Sequence, residues 1–187
     1  MGKRSFFPRL ALVNLVRNSR YYGPYLLSCG ALAAMYYILR FLTWNEVIQT
    51  VRGAAYLQVM MSIGCFVVAL FSTVLLLYAN SFVMKRRQKE LGLYNILGLE
   101  KRHIAALCFW ETLLCAAVVI PGGIAAGILL SKLILLLLLK LVQIPVQFGF
   151  SVSVRGVGET AVLLGVLFLL ALLWNLLRLG RSRPIEL

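Results

Sequence analysis

The side chains that could take part in chemistry are few in this chain of 187 residues, and they are scattered. There is one histidine, His103, and all six acidic residues are glutamate. The four cysteines lie in apolar runs without a C-x-x-C pair, which predicts free thiols rather than a disulfide or a metal site; they are Cys29, Cys65, Cys108 and Cys115. We therefore predict no metal, no cofactor and no catalytic residue, because an intramembrane enzyme would need at least a paired nucleophile or a set of metal ligands.

A nucleotide-binding loop is also missing from the sequence. Phosphates are usually cradled by a glycine-rich loop such as G-x-x-x-x-G-K-[ST]. The chain has no such motif, and its adjacent glycines, Gly122 and Gly123, lie inside an apolar run. If the protein depends on ATP, the hydrolysis must take place in a separate partner.

The composition predicts a multi-pass membrane protein. Hydrophobic residues make up 61% of the chain and the mean hydropathy is +0.91, whereas soluble domains average roughly 45–50% apolar residues. Several runs exceed the ~18 apolar residues that indicate a transmembrane helix. The net charge of +13 comes from basic residues at the ends of these runs, which favours contacts with lipid headgroups over binding of nucleic acid.

The order of these runs predicts an all-α membrane protein with four transmembrane helices and both termini in the cytoplasm. Residues 1–20 read as a cytoplasmic amphipathic segment, and residues 21–187 as the transmembrane domain. The predicted spans are about 24–43, 57–83, 104–126 and 159–177.

The third apolar run continues to about Leu139, which is too long for a hydrocarbon core of ~30 Å. We expect Pro121, Gly122 and Gly123 to break it. It could form a hairpin of two short spans or one span with an extension outside. The hairpin would place Arg178 and its basic neighbours outside, so the positive-inside rule favours the single span.

A basic segment between the second and third spans is the most distinctive stretch. Leu91, Tyr94 and Leu97 recur at helical spacing and predict a short amphipathic helix over about residues 88–99. Glu90 lies near its start and Gly98 suits its C-terminal cap. The basic residues around it predict anchoring at the inner leaflet; they are Lys85, Arg86, Arg87, Lys89, Lys101 and Arg102. A solvated loop is the alternative.

Glu111 lies inside an apolar run, where a carboxylate is costly and usually functional. At helical spacing, His103, Leu107 and Glu111 share one face. Two interpretations stay open for Glu111: a structural pairing with a neighbouring helix or a headgroup-level cation, and a direct role in transport.

Several of these motifs together resemble the FtsX-like ABC transporter permease family, and within it the bacitracin-export, BceB-like branch. The resemblance rests on residues 71–82, 85–94 and 97–98, on Glu111, on residues 127–132, and on the N-terminal residues 10–18 followed by Tyr22 and Tyr25. It covers nearly the whole chain, which looks like the N-terminal half of such a permease.

The resemblance implies a permease of the bacterial cytoplasmic membrane that transmits ATP-driven movement in resistance to peptide antibiotics. A coupling helix would dock on a separate ATP-binding subunit; its contact residues would be Glu90, Gly92, Leu93, Tyr94, Leu97 and Gly98. A second permease half and a sensor histidine kinase are further expected partners. The alternative function is a truncated or non-transporting membrane anchor or regulator of a sensor kinase.

Overall fold

The computed structural model of the protein describes residues 6–45, 53–96, 101–141 and 152–181. These residues form five α-helices and no β-strand, which confirms the all-α prediction for the described part of the chain. The helices are α1 (Phe6–Arg17), α2 (Ser19–Thr43), α3 (Ala54–Ile96), α4 (Lys101–Leu141) and α5 (Val154–Arg181).

Four of these helices, α2 to α5, are long and apolar enough to cross a membrane. The qualifying stretches are Ser19–Thr43, Ala54–Arg87, Arg102–Leu138 and Val154–Leu179. Each of the four predicted spans lies inside one of them. Within the described ranges, the number of helices that could span a membrane therefore agrees with the prediction.

The end of α3 differs from the prediction of a separate short helix over residues 88–99. Residues 88–96 continue α3 without interruption, so this helix reaches 43 residues. The physical reason is local: residues 85–91 are Lys, Arg, Gln, Glu and Leu, which all favour helix. Residues 97–99 of the predicted helix lie outside the described residues.

The predicted break at Pro121, Gly122 and Gly123 is wrong. Helix α4 runs through all three residues as a single helix of 41 residues. A proline inside a helix removes one backbone hydrogen bond. Ending the helix in an apolar environment would leave several backbone groups unpaired, and for this reason membrane helices tolerate Pro and Gly in their interior. One long helix replaces the predicted break, in agreement with the single-span interpretation.

The chain divides into two compact units, to each of which α2, α3, α4 and α5 contribute a part. Unit 1 consists of Met1–Leu27, Val74–Val118 and Gly165–Leu187. A buried apolar cluster in this unit joins α3, α4 and α5; it contains Met84, Ile104, Cys108 and Leu179. Tyr25 of α2 meets Phe168 of α5 edge to face, with ring centroids 6.5 Å apart.

Unit 2 consists of Ser28–Thr73 and Val119–Leu164. Its buried apolar cluster contains Tyr37, Phe41, Leu42, Ile124 and Leu135. Helices α2 and α4 approach closely here, because a Cβ atom at Gly123 would contact the side chain of Ala33 and lie 3.0 Å from the carbonyl oxygen of Gly30. Small residues at such crossings let membrane helices pack backbone to backbone.

Candidate functional site

Among the described residues of unit 1, the buried acid is Glu111, which lies in the first half of α4. Its side chain is 5% exposed. An ionised carboxylate inside an apolar medium is stable when it is paired and hydrogen-bonded. The partners of Glu111 therefore decide what this residue can do.

The charge partner of Glu111 is Arg87 of α3, whose side chain is 2% exposed. The guanidinium Nη1 of Arg87 pairs with the carboxylate Oε2 of Glu111 and also donates to the Tyr22 hydroxyl at 2.8 Å. This contact joins two residues 24 positions apart, on helices that follow one another in the chain. The pair is neutral overall, which allows it to be buried.

Two further side chains complete the carboxylate's surroundings. The amide nitrogen Nδ2 of Asn14 in α1 donates to Oε1 of Glu111 at 3.3 Å. The hydroxyl of Tyr22 in α2 donates to Oε2 at 3.4 Å. We call these four residues, Asn14, Tyr22, Arg87 and Glu111, the Arg87–Glu111 cluster. It brings together α1, α2, α3 and α4 within unit 1.

A second polar contact in unit 1 joins α3 to α5. Asn80 and Asn175 exchange two amide hydrogen bonds of 2.9 and 3.1 Å, and both residues are buried. A small cavity of about 20 Å³ is lined by both asparagines together with Glu111 and Thr112. A polar cavity of this size can hold about one water molecule. It is too small for a peptide or any other organic substrate.

The arrangement fits a structural joint better than a reaction centre. The carboxylate of Glu111 accepts hydrogen bonds from Arg87, Asn14 and Tyr22, which join it to three other helices. Among the described residues there is no group of three or more His, Cys, Asp or Glu that could hold a metal ion. The four cysteines are all buried, and none of them forms a disulfide within the described residues.

The predicted inner-leaflet anchors differ in how exposed their side chains are. Lys85, Arg86 and Arg102 are exposed, and the Arg86 guanidinium lies 5.2 Å from the ring centroid of Phe82. Arg87 differs from the prediction, because its side chain is buried against Glu111 instead of facing headgroups. For Lys89 and Lys101 the structure describes the helical backbone.

The predicted coupling residues lie just beyond this cluster. Glu90, Gly92, Leu93 and Tyr94 belong to the last part of α3. Leu97 and Gly98 lie outside the described residues. Since Glu90 follows Arg87 by three positions, the coupling stretch begins about one helical turn after the buried pair.

The helical register of α3 explains the burial of Arg87 once the buried face of this helix is known. One row of buried residues in α3 recurs every three or four positions: Cys65, Val68, Ser72, Leu76, Asn80, Val83 and Arg87. Extending that register beyond the apolar run places Arg87 on the buried face and leaves Lys85 and Arg86 on the exposed side. Burial of a charge then calls for an opposite charge nearby, and Glu111 is the acid on the next helix.

Comparison with known proteins assigns the class. Residues 62–184 match the family model described as FtsX-like permease C-terminal, which is more than half of the chain. The chain belongs to the FtsX-like permease family. Its described part is all-helical, with four helices long and apolar enough to cross a membrane.

The chain is also similar in sequence to individual permeases. The chain is 30% identical over 171 residues to the bacitracin export permease protein BceB of Bacillus subtilis strain 168, covering 89% of this chain. It is 28% identical over 172 residues to the protein of the same name from Halalkalibacterium halodurans. It is 25% identical over 180 residues to the B. subtilis ABC transporter permease YvcS. The chain spans 26–27% of the length of these relatives.

Proposed function

We propose that this chain is a transmembrane part of an ABC transporter that protects bacteria against bacitracin-like peptide antibiotics. In this proposal it transmits movement from a separate ATP-binding subunit to the membrane-spanning helices. Membership of the permease family and the likeness to BceB support the class. A second permease half and a sensor histidine kinase would be its further partners.

The charge pattern supports an orientation in the bacterial cytoplasmic membrane. The clusters at residues 3–20, 85–102 and 178–183 would all face the cytosol under the positive-inside rule. Both termini and the end of α3 would then lie on the cytosolic side. This is the side on which ATP is available.

The observation that carries the coupling proposal is the position of the Arg87–Glu111 cluster. Its buried ion pair ties α3 to α4 about one turn before Glu90, and Asn14 and Tyr22 tie in α1 and α2. A force applied to residues 90–98 would therefore move several helices of unit 1 together rather than bend the end of α3. A loop without such a joint would absorb the same force locally.

The test uses the chain together with the ATP-binding subunit that a neighbouring reading frame should encode. Leu93→Asp places a charge in the proposed contact, whereas Leu93→Met conserves its volume and apolarity. We expect the Asp variant to lose co-purification with the ATP-binding subunit and the stimulation of ATP hydrolysis. The Met variant should keep both, and Gly98→Pro should behave like the Asp variant.

Two outcomes would reject this function. If Leu93→Asp binds and stimulates the ATPase like the unmodified chain, the coupling contact lies elsewhere. If the unmodified chain retains a sensor kinase but no ATP-binding subunit, the role of anchor or regulator takes its place.

A further inference from the structure

A groove in unit 2 lies at the end of two membrane-spanning stretches, where α2 ends at Thr43 and α3 begins at Ala54. Its volume is about 490 Å³, within the roughly 300–1,000 Å³ of typical small-molecule sites. Its lining combines polar and apolar side chains: Thr43, Trp44, Gln58, Val59, Ser62, Ile63 and Phe66. We therefore expect the groove to lie at the boundary between the hydrocarbon core and the headgroups of the membrane.

The apolar part of the lining is one continuous stripe on α3. Val59, Ile63 and Phe66 follow at positions i, i+4 and i+7, so they share a helix face. All three are largely exposed. Gln58 and Ser62 form a parallel polar edge one position earlier. A molecule that fits both must be amphipathic, with a hydrocarbon part along the stripe and a polar part beside Trp44.

A cationic side chain stands at the polar end of the groove. The guanidinium carbon of Arg155, from the start of α5, lies 3.7 Å from the ring centroid of Trp44. The Arg155 side chain is 63% exposed, whereas those of Arg40 and Glu159 are 19% and 25% exposed. Trp and Arg at a span end are typical of the membrane interface, where they meet headgroups.

The charges around this end leave one positive charge in excess. Arg40 pairs with Glu159, and Arg155 donates from Nε to the other carboxylate oxygen of Glu159 at 3.2 Å. Two cations thus share one anion. The connecting segments add no net negative charge to offset the excess, because residues 142–151 contain no charged residue and residues 46–52 contain one Glu and one Arg.

We propose that this groove is a binding site for one anionic diacyl phospholipid, such as phosphatidylglycerol. An acyl chain lies along Val59, Ile63 and Phe66, and the phosphate faces Arg155 beside Trp44. The excess positive charge selects an anionic headgroup over a zwitterionic one. The site lies on the proposed extracytoplasmic side, but the proposal itself depends on membrane insertion and not on coupling to an ATPase.

Native mass spectrometry of the purified chain tests this site with two lipids of identical dioleoyl chains, phosphatidylglycerol and phosphatidylcholine. We expect phosphatidylglycerol to bind about fivefold more tightly, since one basic side chain at an anionic surface contributes about 1 kcal/mol. Arg155→Ala should abolish this preference. Lys140→Ala is the matched control, because it removes another exposed cation of unit 2 outside the groove. It should leave the preference unchanged.

A second variant tests the groove apart from the charge. Ser62→Trp fills the groove and should weaken the binding of both lipids, while circular dichroism checks that the helices persist. The proposal is overturned if the two lipids bind equally to the unmodified chain, or if Arg155→Ala keeps the preference. It is also overturned if Lys140→Ala loses the preference as fully as Arg155→Ala, or if Ser62→Trp binds both lipids normally.

Discussion

Replacing one partner of the Arg87–Glu111 pair should destabilise the protein far more than replacing both. The variants are Arg87→Met, Glu111→Leu and the double variant. With side chains 2% and 5% exposed, neither charge reaches bulk solvent that could compensate for the loss of its partner. Removing one partner of a buried ion pair typically costs about 3–5 kcal/mol, whereas replacing both with apolar residues is often neutral or stabilising.

The loss of stability in each variant can be measured by thermal unfolding. For chains of 150–250 residues, 1 kcal/mol corresponds to about 2–4 °C in Tm. Each single variant should therefore unfold about 6–20 °C below the unmodified protein, as followed by circular dichroism in detergent. The double variant should recover most of that loss, giving a coupling free energy of at least about 3 kcal/mol in the double-mutant cycle.

The exposed ion pair of Arg155 with Glu159 provides a comparison within the same chain. Arg155 is 63% exposed and lies four residues before Glu159, and such surface pairs contribute about 0–1 kcal/mol. Arg155→Met should thus change Tm little. The reasoning is refuted if Arg87→Met or Glu111→Leu costs less than about 1 kcal/mol. It is equally refuted if the double variant loses the sum of the two single losses.

The same double variant separates stability from coupling. If the pair transmits force, the double variant should be folded and still fail to stimulate ATP hydrolysis by the ATP-binding subunit, because an apolar contact slides more easily than an ion pair. Full stimulation by the double variant would leave the pair a purely structural role.

Three further outcomes follow from the packing. Gly123→Ala should lower the free energy of unfolding by about 1–3 kcal/mol, since its Cβ would contact Ala33 and lie 3.0 Å from the carbonyl oxygen of Gly30. Gly122→Ala is the control in the same thermal unfolding assay: its Cβ would have nothing within 4 Å, so it should be neutral or slightly stabilising. Asn80→Leu leaves Asn175 without its amide partner and should cost about 1–2 kcal/mol in thermal unfolding; adding Asn175→Leu should restore most of it, and equal losses would contradict the paired-amide account. The buried thiols should react with a maleimide reagent after denaturation but not before; they are Cys29, Cys65, Cys108 and Cys115.

The main features of the fold could be predicted from the sequence because they follow from one-dimensional patterns. Apolar runs of sufficient length indicate α2 to α5 directly. Patterns failed where two local tendencies competed. At Pro121 the tendency of proline to end a helix yields to the need to pair backbone groups in an apolar environment. Residues 88–96 were expected to belong to a separate short helix, but their helix-favouring side chains continue α3.

Only part of the Arg87–Glu111 cluster could be predicted from the sequence. Glu111 stands out in the sequence as a carboxylate within an apolar run, and its pairing with a neighbouring helix was one of the two predicted interpretations. Arg87 does not stand out, because it is one of several adjacent cations and its burial depends on the rotation of α3. Asn14 and Tyr22 are even less predictable, since they reach Glu111 across 97 and 89 positions of the chain.

Photo-crosslinking from the end of α3 tests the central proposal most directly. Tyr94 is replaced by benzoylphenylalanine in one variant, and the exposed Tyr56 at the other end of α3 is replaced in the control variant. With the ATP-binding subunit present, illumination of the Tyr94 variant should give a covalent adduct of the two proteins, and the Tyr56 variant should give none. An adduct from position 56, or none from position 94 in a complex that still hydrolyses ATP, would contradict the assignment of residues 90–98 to coupling.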